Sequence, residues 1–205
     1  MNICVFGASI TYGSGDTNGG WVQRIRKLLD EKNLSDPDAY FLVYNLGIGG
    51  NTTEDLLERF KFELEQRIDE DEKTVIIFSI GGNDSVYLIK EKHNRVPIDK
   101  FEKNINKLIF QTRKYTKDIT FIGLTPADKK KTSPVPWDAN IIYNNIYIER
   151  YNSKLKEICQ KEKIRFINLY SKLIKMDYKK LLEDGLHPNS NGHEWMAKKI
   201  IDSIL

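Results

Sequence analysis

Ile3-Cys4-Val5-Phe6-Gly7-Ala8-Ser9-Ile10-Thr11-Tyr12-Gly13 opens with an apolar run that ends at glycine and passes at once into a serine-bearing loop. A run this short and this apolar predicts a buried strand with its exit at Gly7. In an open α/β sheet, ligands bind outside the carboxyl ends of the strands, which is where Ser9 then falls. Four more runs rich in β-branched and aromatic residues follow: 41–45, 74–80, 119–124 and 164–169. None alternates apolar with polar, as expected for parallel strands covered on both faces. Between them lie amphipathic stretches. Trp21, Val22, Ile25, Leu28 and Leu29 form one helical stripe, and Leu56, Leu57, Phe60 and Leu64 a second. Further helices are expected over about 98–117 and 140–162, with a last one carrying Trp195, Met196, Ile200, Ile201, Ile204 and Leu205. The alternation predicts an α/β fold: a three-layer α/β/α sandwich around a five-stranded parallel sheet.

The chain has 205 residues, a length suited to one domain spanning 1–205, with a core that needs no disulfide or metal staple. Charged residues make up 30% and the formal net charge is only +3, with signs interleaved, which argues against nucleic acid as a partner. Lys129-Lys130-Lys131 is one local basic cluster, read as solvated. Cys4 falls inside the first strand and Cys159 in a helix, so neither suggests a disulfide framework. No apolar stretch reaches the ~20 residues of a membrane span. The first strand begins without a leader pattern, so a cytoplasmic location is expected, although a mature secreted form would read the same. Oligomeric state is not legible.

Two irregular insertions, 84–97 and 125–139, leave from strand carboxyl ends and are expected to rim one cleft. The segments that carry chemistry also fall at strand exits or just before the last helix. They are Gly7-Ala8-Ser9; Asn45-Leu46-Gly47-Ile48-Gly49-Gly50-Asn51-Thr52-Thr53; Ile80-Gly81-Gly82-Asn83-Asp84; and Asp184-Gly185-Leu186-His187-Pro188-Asn189. Acyl transfer needs a nucleophile, a base, a group orienting the base, and donors for the oxyanion. Ser9 can attack, His187 can take its proton, and Asp184, three residues earlier, can hold the imidazole tautomer or cap a turn with Gly185. Gly50 offers a backbone N–H with no Cβ in the way, and Asn83 a side-chain amide. Asp84 reads as structural. Of the other histidines, His93 sits in a charged surface segment, and His193 lies beside Asn191 and Glu194, which resemble a helix-capping pair. Tyr143, Tyr147 and Tyr151 fall at i, i+4 and i+8 and read as one packed helical face, while Trp137 in the proline-bearing loop is the better candidate for ligand contact.

This set in this order resembles the SGNH hydrolases, the GDSL esterase/lipase family, over essentially the whole chain. Ser9, Gly50, Asn83 and His187 match the four signature residues, and Asp184 matches the aspartate three residues before the histidine. The resemblance implies a flavodoxin-like sheet, a Ser–His–Asp triad, and an oxyanion hole from the Ser9 and Gly50 N–H groups and the Asn83 amide. It implies hydrolysis of a small-molecule ester, such as an acylated carbohydrate or lipid, through an acyl-enzyme with no cofactor or metal. An acyltransferase or thioesterase with the same triad, or a silent carbohydrate- or lipid-binding homologue, is the alternative. One departure stands out: the family's first motif usually reads Gly-Asp-Ser, and here Ala8 replaces the aspartate. Two rival motifs do not fit. The α/β-hydrolase elbow needs glycine where Thr11 stands, and Gly7, Ser9 and Tyr12 do not make Gly-x-Gly-x-x-Gly.

Overall fold

The computed structural model describes residues 1–69 and 71–204. In chain order the elements are β1 (Asn2–Gly7), α1 (Ser9–Tyr12), α2 (Gly20–Ser35), β2 (Leu42–Gly47), α3 (Thr53–Glu65), β3 (Thr74–Ser79), β4 (Tyr87–Leu88), β5 (His93–Asn94) and α4 (Ile98–Thr112). They continue with β6 (Ile119–Ile122), α5 (Lys129–Thr132), β7 (Ile141–Ile142), α6 (Asn145–Lys161), β8 (Arg165–Ile167), α7 (Leu169–Leu173), a 3-10 turn (Tyr178–Leu181) and α8 (Ser190–Ile204). Leu205, part of the expected last stripe, lies outside the described residues.

The main sheet runs β2-β1-β3-β6-β8 and every pairing in it is parallel. Both faces of the strands are covered, which explains their unbroken apolar runs. One face carries Cys4, Phe6, Ile76, Phe78 and Phe121 under α3, α4 and α6. There Phe6, Phe78 and Phe121 stack across three neighbouring strands, with ring centroids 5.9 and 4.8 Å apart. The other face carries Ile3, Val5, Ile77 and Ile122 under α2 and α8. Burying each such side chain contributes about 1.5–3 kcal/mol, so the two apolar layers hold the strand exits in place. Both cysteines are buried, and burial pushes each thiol up to about 12. Among the described residues no helix is long and apolar enough to cross a membrane.

Strand order reverses at β1: the chain steps to β2 on one side and returns to β3 on the other. Such a switch point opens a crevice at the strand ends. Gly7 lets the strand exit close tightly over the neighbouring elements, since a Cβ there would meet the Thr11 hydroxyl at 2.0 Å and the Ser79 carbonyl at 2.5 Å.

Three expectations are corrected. The segment 140–144 is not helical. Ile141–Ile142 pairs antiparallel with Tyr87–Leu88, which also pairs with His93–Asn94, so the second insertion runs on past 139 to Asn144 and shares a small ribbon with the first. Helix α6 begins only after Asn144, whose side chain caps it by accepting from the Ile146 N–H at 3.0 Å. Tyr143 therefore lies ahead of the helix, while Tyr147 stacks on Tyr87 and Tyr151 is buried against Phe101. At α8 the capping residue is Asn189, whose side chain accepts from the Gly192 N–H, rather than Asn191 with Glu194. Lys129-Lys130-Lys131 forms a short helix rather than a loop, capped by Asp128 and exposed to solvent.

Candidate active site

Ser9 opens the single turn of α1 directly after β1, and Asn83 leaves β3 next to it in the sheet. The two line one pocket of about 50 Å³, together with Ala8, Ile80, Leu124 and Tyr143. His187 and Asp184 come from the loop before α8. His187 Nε2 lies 2.9 Å from Ser9 Oγ, and His187 Nδ1 lies 2.7 Å from Asp184 Oδ2. A carboxylate can only accept, so Nδ1 carries the ring proton and Nε2 presents a lone pair to the serine hydroxyl. The other carboxylate oxygen, Oδ1, accepts from the Leu186 and His187 N–H groups at 2.9 and 2.8 Å. Asp184 thus caps its turn and orients the histidine at once. Burial works to raise its carboxyl, but these hydrogen bonds outweigh it and hold Asp184 below the ordinary carboxylate range.

Gly50 sits in the loop after β2 with φ +81°, a conformation that favours glycine, and a Cβ there would face open space. It is exposed and does not line the pocket, but its neighbour Asn51 accepts from the Asn83 amide at 2.9 Å. Among the described residues, neither the Gly50 N–H nor the Ser9 N–H has a protein acceptor. Asn83 is itself buried, and its Oδ1 accepts from the Tyr143 hydroxyl at 2.6 Å.

Several supporting residues are not evident from sequence patterns. Arg59 on α3 donates to the Gly7 and Leu46 carbonyls at 3.0 Å each and to Asn51 Oδ1 at 2.8 Å, tying together the exits of β1 and β2. Asp84 is fully buried and holds the start of α3 through the Thr53 N–H and hydroxyl, with burial pushing its carboxyl up to about 6 despite those bonds. The structural role expected of it is the one it has. Arg24 pairs with the buried Asp16 and reaches Ser190 Oγ at 2.8 Å, while the buried His193 ring bridges the Trp21 N–H and the Ser14 carbonyl. Together they clamp the loop after α1 to the segment after His187. His93 is exposed, as expected. Trp137 is more than half exposed and outside the pocket, so it gains no support as a ligand contact. Ala8 is partly buried against the apolar layer, and it lines the pocket beside Ser9.

A family model described as GDSL-like Lipase/Acylhydrolase family matches residues 5–195. The protein YpmR of Bacillus subtilis (strain 168) is 25% identical over 98% of this chain and 80% of its own length. An acetylxylan esterase of Geobacillus stearothermophilus is 25% identical over 82% of this chain and 74% of its own. The crystal structure of a lipase/acylhydrolase from Enterococcus faecalis superposes with a TM-score of 0.76, covering 99% of this chain and 94% of that one at 21% identity, a likeness of fold.

Proposed function

We propose that this chain, which belongs to the GDSL-like Lipase/Acylhydrolase family and is a carboxylic ester hydrolase, turns over its ester through an acyl-enzyme on Ser9. The observation that carries this assignment is the continuous line Asp184–His187–Ser9, with contacts of 2.7 and 2.9 Å. Ser9 Oγ attacks the ester carbonyl carbon while His187 Nε2 takes its proton, and Asp184 stabilises the imidazolium that forms. The oxyanion is received by the Ser9 and Gly50 N–H groups and by the second amide proton of Asn83. Collapse breaks the ester C–O bond, and His187 returns the proton to the departing alkoxide. Water then repeats the sequence on acyl-Ser9 and releases the acid.

The acyl group is short. The pocket beside Ser9 is small, about 50 Å³, and is walled by Ile80, Leu124 and Tyr143. That room suits an acetyl group, the acyl group named for the Geobacillus relative. An acetylated small molecule, with acetylated carbohydrate first among the candidates, is the proposed substrate. The test is a series of p-nitrophenyl esters from acetate to octanoate beside acetylated xylo-oligosaccharides, with fluorophosphonate labelling of wild type and Ser9→Ala. Turnover highest on acetate and label absent from Ser9→Ala is the expected result. Octanoate as best substrate would overturn the short-acyl assignment, and undiminished hydrolysis by Ser9→Ala would overturn the nucleophile.

A further inference from the structure

We infer that Tyr143 is a positioning residue for the oxyanion hole, its hydroxyl holding the Asn83 amide in the one orientation that leaves an N–H free over Ser9. The inference rests on Asn83 serving as an oxyanion donor. Its geometry begins with the Asn51 carbonyl, 2.9 Å from the Asn83 side chain. A carbonyl only accepts, so the atom facing it is Nδ2. The atom 2.6 Å from the Tyr143 hydroxyl is then Oδ1, and the hydroxyl donates to it. One amide proton is spent on Asn51. The other remains for the pocket that Asn83 and Ser9 share.

With the Asn51 contact alone, the amide could pivot about a single bond, and its buried Oδ1 would have no donor. A buried acceptor without a partner costs about 1–3 kcal/mol, so the amide would turn Oδ1 toward the pocket to find one. That rotation withdraws the N–H from the developing oxyanion. The Tyr143 hydroxyl prevents it from a fixed point. The ring is 7% exposed, and its own backbone is anchored independently. Its N–H donates to the Thr132 carbonyl at 2.9 Å, and its carbonyl accepts from the Thr132 hydroxyl at 2.8 Å. Burial also lifts the phenol above its ordinary range, so it keeps its proton wherever His187 is an active base. Tyr143 follows β7 directly, so its hydroxyl links the ribbon built from the two insertions to the Asn83 amide.

Because the backbone anchors do not involve the side chain, Tyr143→Phe should keep the ring in place and remove only the bond to Asn83. On p-nitrophenyl acetate, kcat should fall about 10-fold, the equivalent of losing some 1.4 kcal/mol, with KM within about twofold of wild type. In the Asn83→Ala background the same change should have no further effect, because both act through one amide. A second readout needs no activity. The Asn83 side-chain amide signals, identified in an ¹⁵N NMR spectrum by their loss in Asn83→Ala, should exchange faster with solvent in Tyr143→Phe. Unchanged kcat and unchanged amide exchange would overturn the role of Tyr143, as would equal losses in the wild-type and Asn83→Ala backgrounds. If Asn83→Ala itself leaves kcat intact, it is the oxyanion assignment that fails. The amide-exchange arm then still decides whether Tyr143 holds Asn83.

Discussion

The two halves of the proposed catalytic line are built differently. Ser9 and Asn83 stand on the exits of adjacent sheet strands, over two buried apolar layers, and Asn83 is 8% exposed. His187 and Asp184 stand on a loop, with side chains 17% and 38% exposed, held by a turn that Asp184 caps itself and by the clamp from Arg24 and His193. The proposed nucleophile and the Asn83 amide take their precision from the sheet. The base takes its precision from a handful of polar contacts that bring a distant stretch of chain back to β1. On the proposed mechanism, charge that develops in the transition state is met on the rigid half, whereas proton transfer is left to the half that has room to adjust.

The largest effect should come from cutting the line where the halves meet. Ser9→Ala and His187→Ala should each lower kcat by on the order of 10³-fold or more, and the double variant should lose little beyond either, since the members act as a unit. Steady-state kinetics on an acetyl ester measures this, and independent losses in the double variant would show that the halves do not work together. Next, Asn83→Ala should lower kcat by roughly 10²–10³-fold with KM little changed, because the oxyanion exists only in the transition state. A loss confined to KM would place Asn83 against the substrate instead.

Ala8→Asp probes the rigid half from inside. The methyl group packs on the apolar layer and lines the pocket beside Ser9. A carboxylate there is half-buried and repels the oxyanion, so kcat should fall by ~10-fold or more and the melting temperature should drop. A higher melting temperature with turnover intact would mean that the loop still holds donors for the aspartate usual in relatives. Arg24→Met probes the adjustable half. It leaves the Asp16 carboxylate with the Asn18 and Gly20 N–H donors but without its cation; hydrogen bonds, that from Arg24 foremost, hold this carboxyl down to about 2 against the opposing effect of burial. A lower melting temperature is expected, with kcat several-fold down. Combined with Asn83→Ala, the two losses in log kcat should add, since Arg24 and Asn83 share no hydrogen-bond partner. Non-additivity would erase the distinction.

Asp84 gives the smallest effect and a signed one. Its carboxyl is raised to about 6 in the folded chain, chiefly by burial, against about 3.9 unfolded. The folded state therefore holds the proton more tightly. Its contribution to stability is complete below about pH 4, declines as pH rises toward about 6, and is flat above. Denaturant unfolding of wild type and Asp84→Asn across this window should show the stability difference, wild type minus variant, falling as pH rises.

The rigid half was the more legible in the sequence. Strands buried on both faces write themselves as unbroken apolar runs, and all five expected runs overlap the strands of the sheet. The contact between Asp184 and His187 was legible too, because a three-residue spacing is local. The ribbon was not. Its strands have two residues each, too few for any period to register. Tyr143 looked like the first residue of a helical face because Tyr147 and Tyr151 continue its spacing. The signal against that was Asn144, a good capping residue that marks where α6 starts. Arg59 was hidden for a different reason. With Glu63 four residues on, it has the look of an ordinary surface pair, and only the fold reveals that its guanidinium faces three groups at the strand exits.

The ribbon pairs two insertions with each other, Tyr87–Leu88 standing between His93–Asn94 and Ile141–Ile142, and among the described residues no ladder joins it to the main sheet. Its heritable unit is therefore the pair. A lineage or an engineer that exchanges 84–97 alone leaves the edge at 141–142 without its partner, whereas exchanging the strands Tyr87–Leu88, His93–Asn94 and Ile141–Ile142 together moves a paired ribbon and keeps Asp84 and Tyr143 in place. Substrate range in such a molecule can diversify by moving two distant pieces of the gene in concert.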